Sequence, residues 1–121
     1  MIYIASLYSN GMDKCPCPSV LLEKRVAYTM KRVKDLLLEG KFPYSPILHC
    51  HQMSKDYDLP KTYSFWQNID RNAIDHCQEV YVLMMVDSWG NWTLSQGITD
   101  EIKYAELIGK KVTYLECEDY L

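Results

Sequence analysis

No apolar run in this chain approaches the length needed to cross a bilayer, and no charged segment leading into an apolar stretch opens it. Neither a membrane span nor a secretory leader is expected. There is no basic run either: 13 Lys and Arg stand against 16 Asp and Glu, a formal net charge of -3. That balance speaks against a duplex nucleic-acid partner. Cysteine is sparse, scattered and odd in number at five, which fits a reducing cytoplasm better than a disulfide-stapled secreted fold. Internal repeats, linkers and low-complexity segments are absent.

What is present is ordinary globular composition, 48% hydrophobic and 24% charged, in 121 residues. This excludes a disordered tail or a collagen-like chain and predicts one domain over 1–121 with one core. Tyrosine alone is abundant, at ten residues, suiting a surface that is partly apolar and partly hydrogen-bonding.

The hydrophobic pattern predicts β-α-β-α-β-α-β. Ile2 to Ala5 reads as a buried strand, and Ser6 to Pro18 as a loop. A helix is expected from Ser19 to Glu39, with Leu22, Val26, Met30, Val33 and Leu37 on one stripe and Gly40 ending it. Phe42 to Ser45 reads as a short strand, and Pro46 to Lys61 as an ordered loop without a clean period. Ser64 and Gln67 resemble a capping box before a helix carrying Trp66, Ile69, Ala73 and Cys77 on one face. Val80 to Val86 is the clearest strand, apolar throughout as a central parallel strand should be. A loop from Asp87 to Thr93, a helix from Ser95 to Ile108, a strand from Lys111 to Leu115 and a polar tail complete the chain. The expected architecture is a flavodoxin- or Rossmann-like three-layer α/β sandwich, with a four-stranded parallel sheet in order 2-1-3-4. In such sheets ligands bind beyond the carboxyl ends of the strands. That gathers Ser6 to Ser9, the segment from Ser45 to Met53 and the segment from Asp87 to Ser95 around one crevice.

Several residues break the pattern. Glu101 falls between Ala105 and Ile108 on the apolar stripe of the last helix, and Asp70 within the arc of Trp66, Ile74 and Cys77. A carboxylate on an apolar face is costly unless paired or used. The structural alternatives are a solvated Glu at the helix start and a hydrogen-bonded buried Asp. Two such acids in one crevice suit a nucleophile and a partner that orients or handles protons. Ser95, Gln96 and Gly97 can hold an anionic or sugar oxygen at a helix start, or serve as a plain cap. Trp66, Trp89 and Trp92 can be core or loop anchors; Trp89 and Trp92, in the Asp87 to Leu94 loop, can equally stack on a base or form a lid or subunit contact. His49-Cys50-His51 and Cys15-x-Cys17 match no usual zinc spacing, so no metal is expected. Cys50 beside a histidine leaves a thiol nucleophile open, without a third orienting group.

Taken together, Ile2-Tyr3-Ile4-Ala5-Ser6-Leu7-Tyr8-Ser9, Tyr44-Ser45-Pro46-Ile47, His49-x-His51, Phe65-Trp66 with Asp70, Ser88-Trp89 and Ser95-x-Gly97-x-x-x-Glu101 carry a resemblance. The chain resembles the nucleoside 2-deoxyribosyltransferase-like superfamily, and more closely its DUF1937 branch of bacteria and phages. Leu7 stands where that superfamily usually has proline. The resemblance implies an enzyme, without cofactor, that cleaves or transfers at the N-glycosidic bond of a (deoxy)nucleoside or nucleotide. Glu101 would be the nucleophile, Tyr3 would orient it, and Asp70 and Asp87 would position the sugar or handle the base proton. Ser6, Tyr8, Ser45, His49, His51, Trp66, Trp89, Ser95 and Gly97 would contact the ligand. It also implies a homodimer or higher oligomer and a cytoplasmic location, the host cytoplasm for a phage protein. The competing expectation is a binder that sequesters a nucleotide or an ADP-ribose-type signal.

Overall fold

The computed structural model describes residues 1–60 and 62–117. Its centre is a four-stranded parallel sheet. β1 (Ile2–Ala5) lies between β2 (Pro43–Tyr44) and β3 (Glu79–Met84), and β6 (Lys111–Glu116) pairs with the far side of β3. All four side chains of β1 are buried, so both faces of that strand are covered, as its unbroken apolar sequence requires. Tyr3 sits opposite Val80, and Tyr81 opposite both Ile4 and Thr113. β2 is the other edge, two residues long and carrying a proline that an edge strand tolerates.

α1 (Pro18–Leu38) starts with proline in its first turn and ends at Gly40. Gly40 adopts φ 83°, the left-handed conformation that closes a helix, and Gly109 at φ 78° closes α4 (Gln96–Leu107) the same way. The buried face of α1 differs from the expected stripe. Met30 and Leu37 are exposed, whereas Leu21, Arg25, Tyr28 and Thr29 are buried. Val26 is buried as expected, and beside it Arg25 is wholly buried, its guanidinium bonding the Tyr8 and Asn10 carbonyls at 2.9 and 2.7 Å. A periodicity read from hydrophobes alone cannot register a buried cation.

Pro46 to Lys61 is not a loop over its first part: α2 spans Pro46–Asp56. Ser45 caps it by accepting the Leu48 N–H at 3.2 Å, and Pro46 opens the first turn. Its only buried residue is His51, and it docks on α1 largely through polar contacts, so it has almost no apolar stripe to read. α3 spans Tyr63–Asp75 with Thr62 at its N-cap position, so Ser64 lies inside the helix rather than capping it. Ile69 is exposed, and Ile74 and Cys77 carry the burial.

The apolar run from Val80 to Val86 is not one strand. β3 stops at Met84, and β4 (Val86–Asp87) turns back through Ser88 and Trp89 to pair antiparallel with β5 (Gly90–Asn91). Met85 at the break is fully buried, which accounts for its place in an apolar run. A 3-10 turn at Trp92–Leu94 leads into α4, which packs on α3, β3 and β6. The polar tail expected after Leu115 lies, from residue 118 on, outside the described residues. Among the described residues, no helix is long and apolar enough to cross a membrane.

Candidate active site

β1 and β3 lie side by side at the centre of the sheet, and the segment that follows β1 flanks a cleft of about 670 Å³ together with α2, α3 and the start of α4. Ser6, Tyr8, His51, Trp66, Asp70, Ser95, Gly97 and Glu101 all line it. These residues come from four separate segments, so only the fold makes them neighbours.

Glu101 is the deepest of the acids, 9% exposed on the inner face of α4. The solvated alternative at the helix start does not apply. Tyr3, wholly buried on β1, donates its hydroxyl to Glu101 Oε1 at 2.8 Å. Burial, together with the Glu101 and Asp70 charges, holds the Tyr3 phenol well above its ordinary range, so it stays a donor. Asp70, from α3, stands beside both. Burial raises its pKa to about 6, against hydrogen bonds from Glu101 and Tyr3 that favour its charge. Burial and then the Asp70 charge push Glu101 well above the carboxylate range, despite the Tyr3 bond. Two like charges in one dry site cannot both persist, so near neutral pH the pair shares a proton.

Ser95 accepts the Ile98 N–H at 3.3 Å and so caps α4. A Cβ placed on Gly97 would meet only Ser95 Oγ, at 3.9 Å, so the absence of a side chain leaves space rather than relieving a clash. Ser6 Oγ is buried without a hydrogen-bond partner. Trp66 is oriented by its indole N–H, which donates to the Pro60 carbonyl at 2.7 Å. It also meets Phe65 edge to face.

The opposite wall holds a second polar chain. The Tyr8 hydroxyl lies 2.7 Å from His51 Nδ1, and His51 Nε2 lies 2.9 Å from Glu23 Oε1. Lys55 donates to the same carboxylate oxygen at 3.1 Å. The His51 and Lys55 hydrogen bonds keep Glu23 below its usual range. Burial raises the Tyr8 phenol, with the Glu23 charge second.

Five expected site residues lie outside the cleft lining: Tyr3, which reaches Glu101 from β1, and Asp87, Trp89, Ser45 and His49. Asp87 pairs with Arg25 at 3.1 Å and accepts the Trp89 N–H at 2.8 Å. This ties the β4–β5 hairpin to α1 and to the loop carrying Tyr8. Trp89 sits in the turn of that hairpin and is exposed. Ser45 is spent on the α2 cap, and His49 faces the Tyr44 ring at 6.1 Å between centroids. Cys50 does line the cleft, but burial raises its thiol away from nucleophilic character.

Sequence reasoning missed Glu23, Arg25 and Asp100. Asp100 lines the cleft and receives a two-pronged bond from Arg71 at 2.7 and 3.3 Å. Burial opposes its charge, yet the Arg71 and Gln67 bonds outweigh it and lower its pKa. Its only sequence signal was its place beside Glu101. Glu23 and Arg25 lie off the apolar stripe that the spacing of α1 predicts, so the linear pattern gives neither a signal. Among the described residues no three His, Cys, Asp or Glu side chains gather as a metal site would need.

No curated protein and no solved structure matches the chain. Residues 1–117 match the family described as Domain of unknown function (DUF1937), and the chain belongs to it.

Proposed function

We propose that this protein cleaves the N-glycosidic bond of a nucleoside or nucleotide, with Glu101 attacking C1′ of the sugar. The observation that carries the reading is the buried Glu101 held by Tyr3 beside Asp70, on the wall of a cleft large enough for a nucleotide. In the reactive form the shared proton resides on Asp70. The Tyr3 hydroxyl donates to Glu101 Oε1 and so supports the Glu101 charge. Glu101 then bonds to C1′ as the base departs, and water or a second base takes the sugar from it, as in retaining glycoside hydrolysis. Protonated Asp70 bonds the sugar and fixes its pose, which by itself is worth several kcal/mol of barrier. The start of α4, with Ser95 and Gly97, receives sugar or 5′-phosphate oxygens, and the Trp66 ring supplies a stacking surface for the base. The link to the nucleoside 2-deoxyribosyltransferase-like superfamily, its three-layer sandwich and its subunit pairing belong to the same reading.

A second reading rests on the raised pKa of Glu101. A carboxyl that keeps its proton is a hydrogen-bond donor rather than a nucleophile. The cleft would then hold a nucleotide or an ADP-ribose-type ligand without turnover. Incubation with nucleosides, nucleoside monophosphates and NAD-like dinucleotides, followed by chromatography, separates the two. Free base supports hydrolysis, and exchanged base supports transfer. An intact ligand that co-purifies supports the binder and overturns the glycosidic reading.

A further inference from the structure

A departing base needs a proton on the nitrogen that leaves the sugar. In the reading above, the proton shared by Asp70 and Glu101 is engaged with the sugar. The second polar chain of the cleft is unused by that chemistry. His51 is 7% exposed, yet both its ring nitrogens are engaged, Nδ1 with the Tyr8 hydroxyl and Nε2 with Glu23. Tyr8 and His51 line the cleft, whereas the Glu23 side chain is 53% exposed and meets Lys55 and solvent. The chain therefore runs from the cleft to water through one buried imidazole. A merely structural histidine needs no such continuity. Arg25 fixes the ligand end, since its guanidinium holds the Tyr8 and Asn10 carbonyls.

We propose that Tyr8, His51 and Glu23 form a proton relay that protonates the leaving base and later deprotonates the incoming water. This inference rests on the glycosidic reading. In the first step the bond between C1′ and the base nitrogen breaks, and its electron pair stays on nitrogen. That nitrogen takes the Tyr8 hydroxyl proton, and the Tyr8 oxygen takes the proton from Nδ1 of the His51 imidazolium. Glu101 supplies the electron pair of the new bond to C1′. His51 ends neutral, its Nε2–H still donating to Glu23. In the second step water attacks C1′, releases Glu101 as carboxylate and returns a proton through Tyr8 to His51. Both charge and protons are then restored. Tyr8 touches the ligand, and Glu23 is a positioning residue that orients the imidazole and offsets its charge.

The test compares deoxyguanosine and guanosine 5′-monophosphates with their 7-methyl derivatives, whose base already carries positive charge and leaves without a further proton. On the unmethylated nucleotides, Tyr8→Phe and His51→Gln should lose about 10²-fold or more in rate. On the methylated ones, read as base released in a single turnover before water enters, the loss should be at least about tenfold smaller. Glu101→Gln should lose both. Glu23→Gln, half-exposed and safe for folding, should show the same selective loss at smaller size. Equal losses on both substrate sets, or no loss on either, would overturn the relay while leaving the glycosidic reading intact. A wild type that releases base from neither set, nor from any nucleoside or nucleotide of the chromatographic survey, overturns that reading and the relay with it.

Discussion

The two walls of the cleft use the same residue type to opposite effect. On one wall Glu101 sits among β1, α3 and α4, away from water and beside a second acid, and its pKa rises. On the other, Glu23 lies at the surface of α1, receives bonds from His51 and Lys55, and its pKa falls. Glutamate has no fixed chemistry; desolvation and neighbouring charge decide whether it holds a proton or accepts one. The deep wall is made from regular elements. The shallow wall depends on a loop, which is where Arg25 matters.

The sharpest way to break the comparison is to neutralise each glutamate. Glu101→Gln should reduce base release by about 10³-fold or more, as removal of a nucleophile does. Glu23→Gln should cost far less on the same assay. Comparable losses would mean that the walls are not chemically distinct.

The next largest effect concerns the pin behind the shallow wall. Arg25 is wholly buried and Asp87 nearly so. Arg25→Met leaves a buried carboxylate without its main partner, at a cost of about 3–5 kcal/mol. Urea melts at neutral pH measure this. A change under about 1 kcal/mol would show that the pair is no anchor.

A pH series sharpens the contrast without touching activity. The native pair of Asp70 and Glu101 keeps protons that the unfolded chain has lost above its ordinary carboxyl values of 3.8 and 4.5. Stability due to this pair is therefore greatest below those values and falls as pH rises through about 6 and beyond. Glu101→Gln should flatten that fall and melt higher than wild type at pH 8. Glu23 has the opposite sign. Its lowered pKa supports the fold above its ordinary value of 4.5 and loses that contribution as pH falls. Thermal melts of both variants from pH 4 to 8 check the two slopes.

Smaller effects follow within the deep wall. Tyr3→Phe removes one donor to Glu101 and should slow base release about tenfold, the worth of one hydrogen bond to a charged group. Gly97→Ala meets no protein atom closer than 3.9 Å. It should raise helix stability by up to about 1 kcal/mol while raising KM, because the new methyl occupies cleft space. A melting temperature unchanged or lower would place Gly97 in a role other than leaving room.

How much of this was legible depends on how each residue is held. β1 could be read because four consecutive apolar residues leave a strand few alternatives once both faces are covered. Glu101 and Asp70 could be found because each interrupts an apolar helical face, and a local interruption is visible in a linear pattern. α2 could not, because a helix that docks through His51 and a Ser45 cap offers hardly any apolar period. Nor could the end of β3, because the buried bend at Met85 looks like any apolar strand residue.

By itself the sequence determined the alternation of strands and helices and the presence of two acids where apolar residues belong. Local periodicity and capping chemistry are properties of neighbouring residues, and a linear pattern carries them. Tertiary structure alone decided which distant groups meet. Tyr3 lies 98 positions from Glu101, and Tyr8 43 from His51. It also decided that Asp87 would serve Arg25 rather than line the cleft. These outcomes depend on crossovers between parallel strands and on the desolvation they impose, and no short stretch of chain contains either.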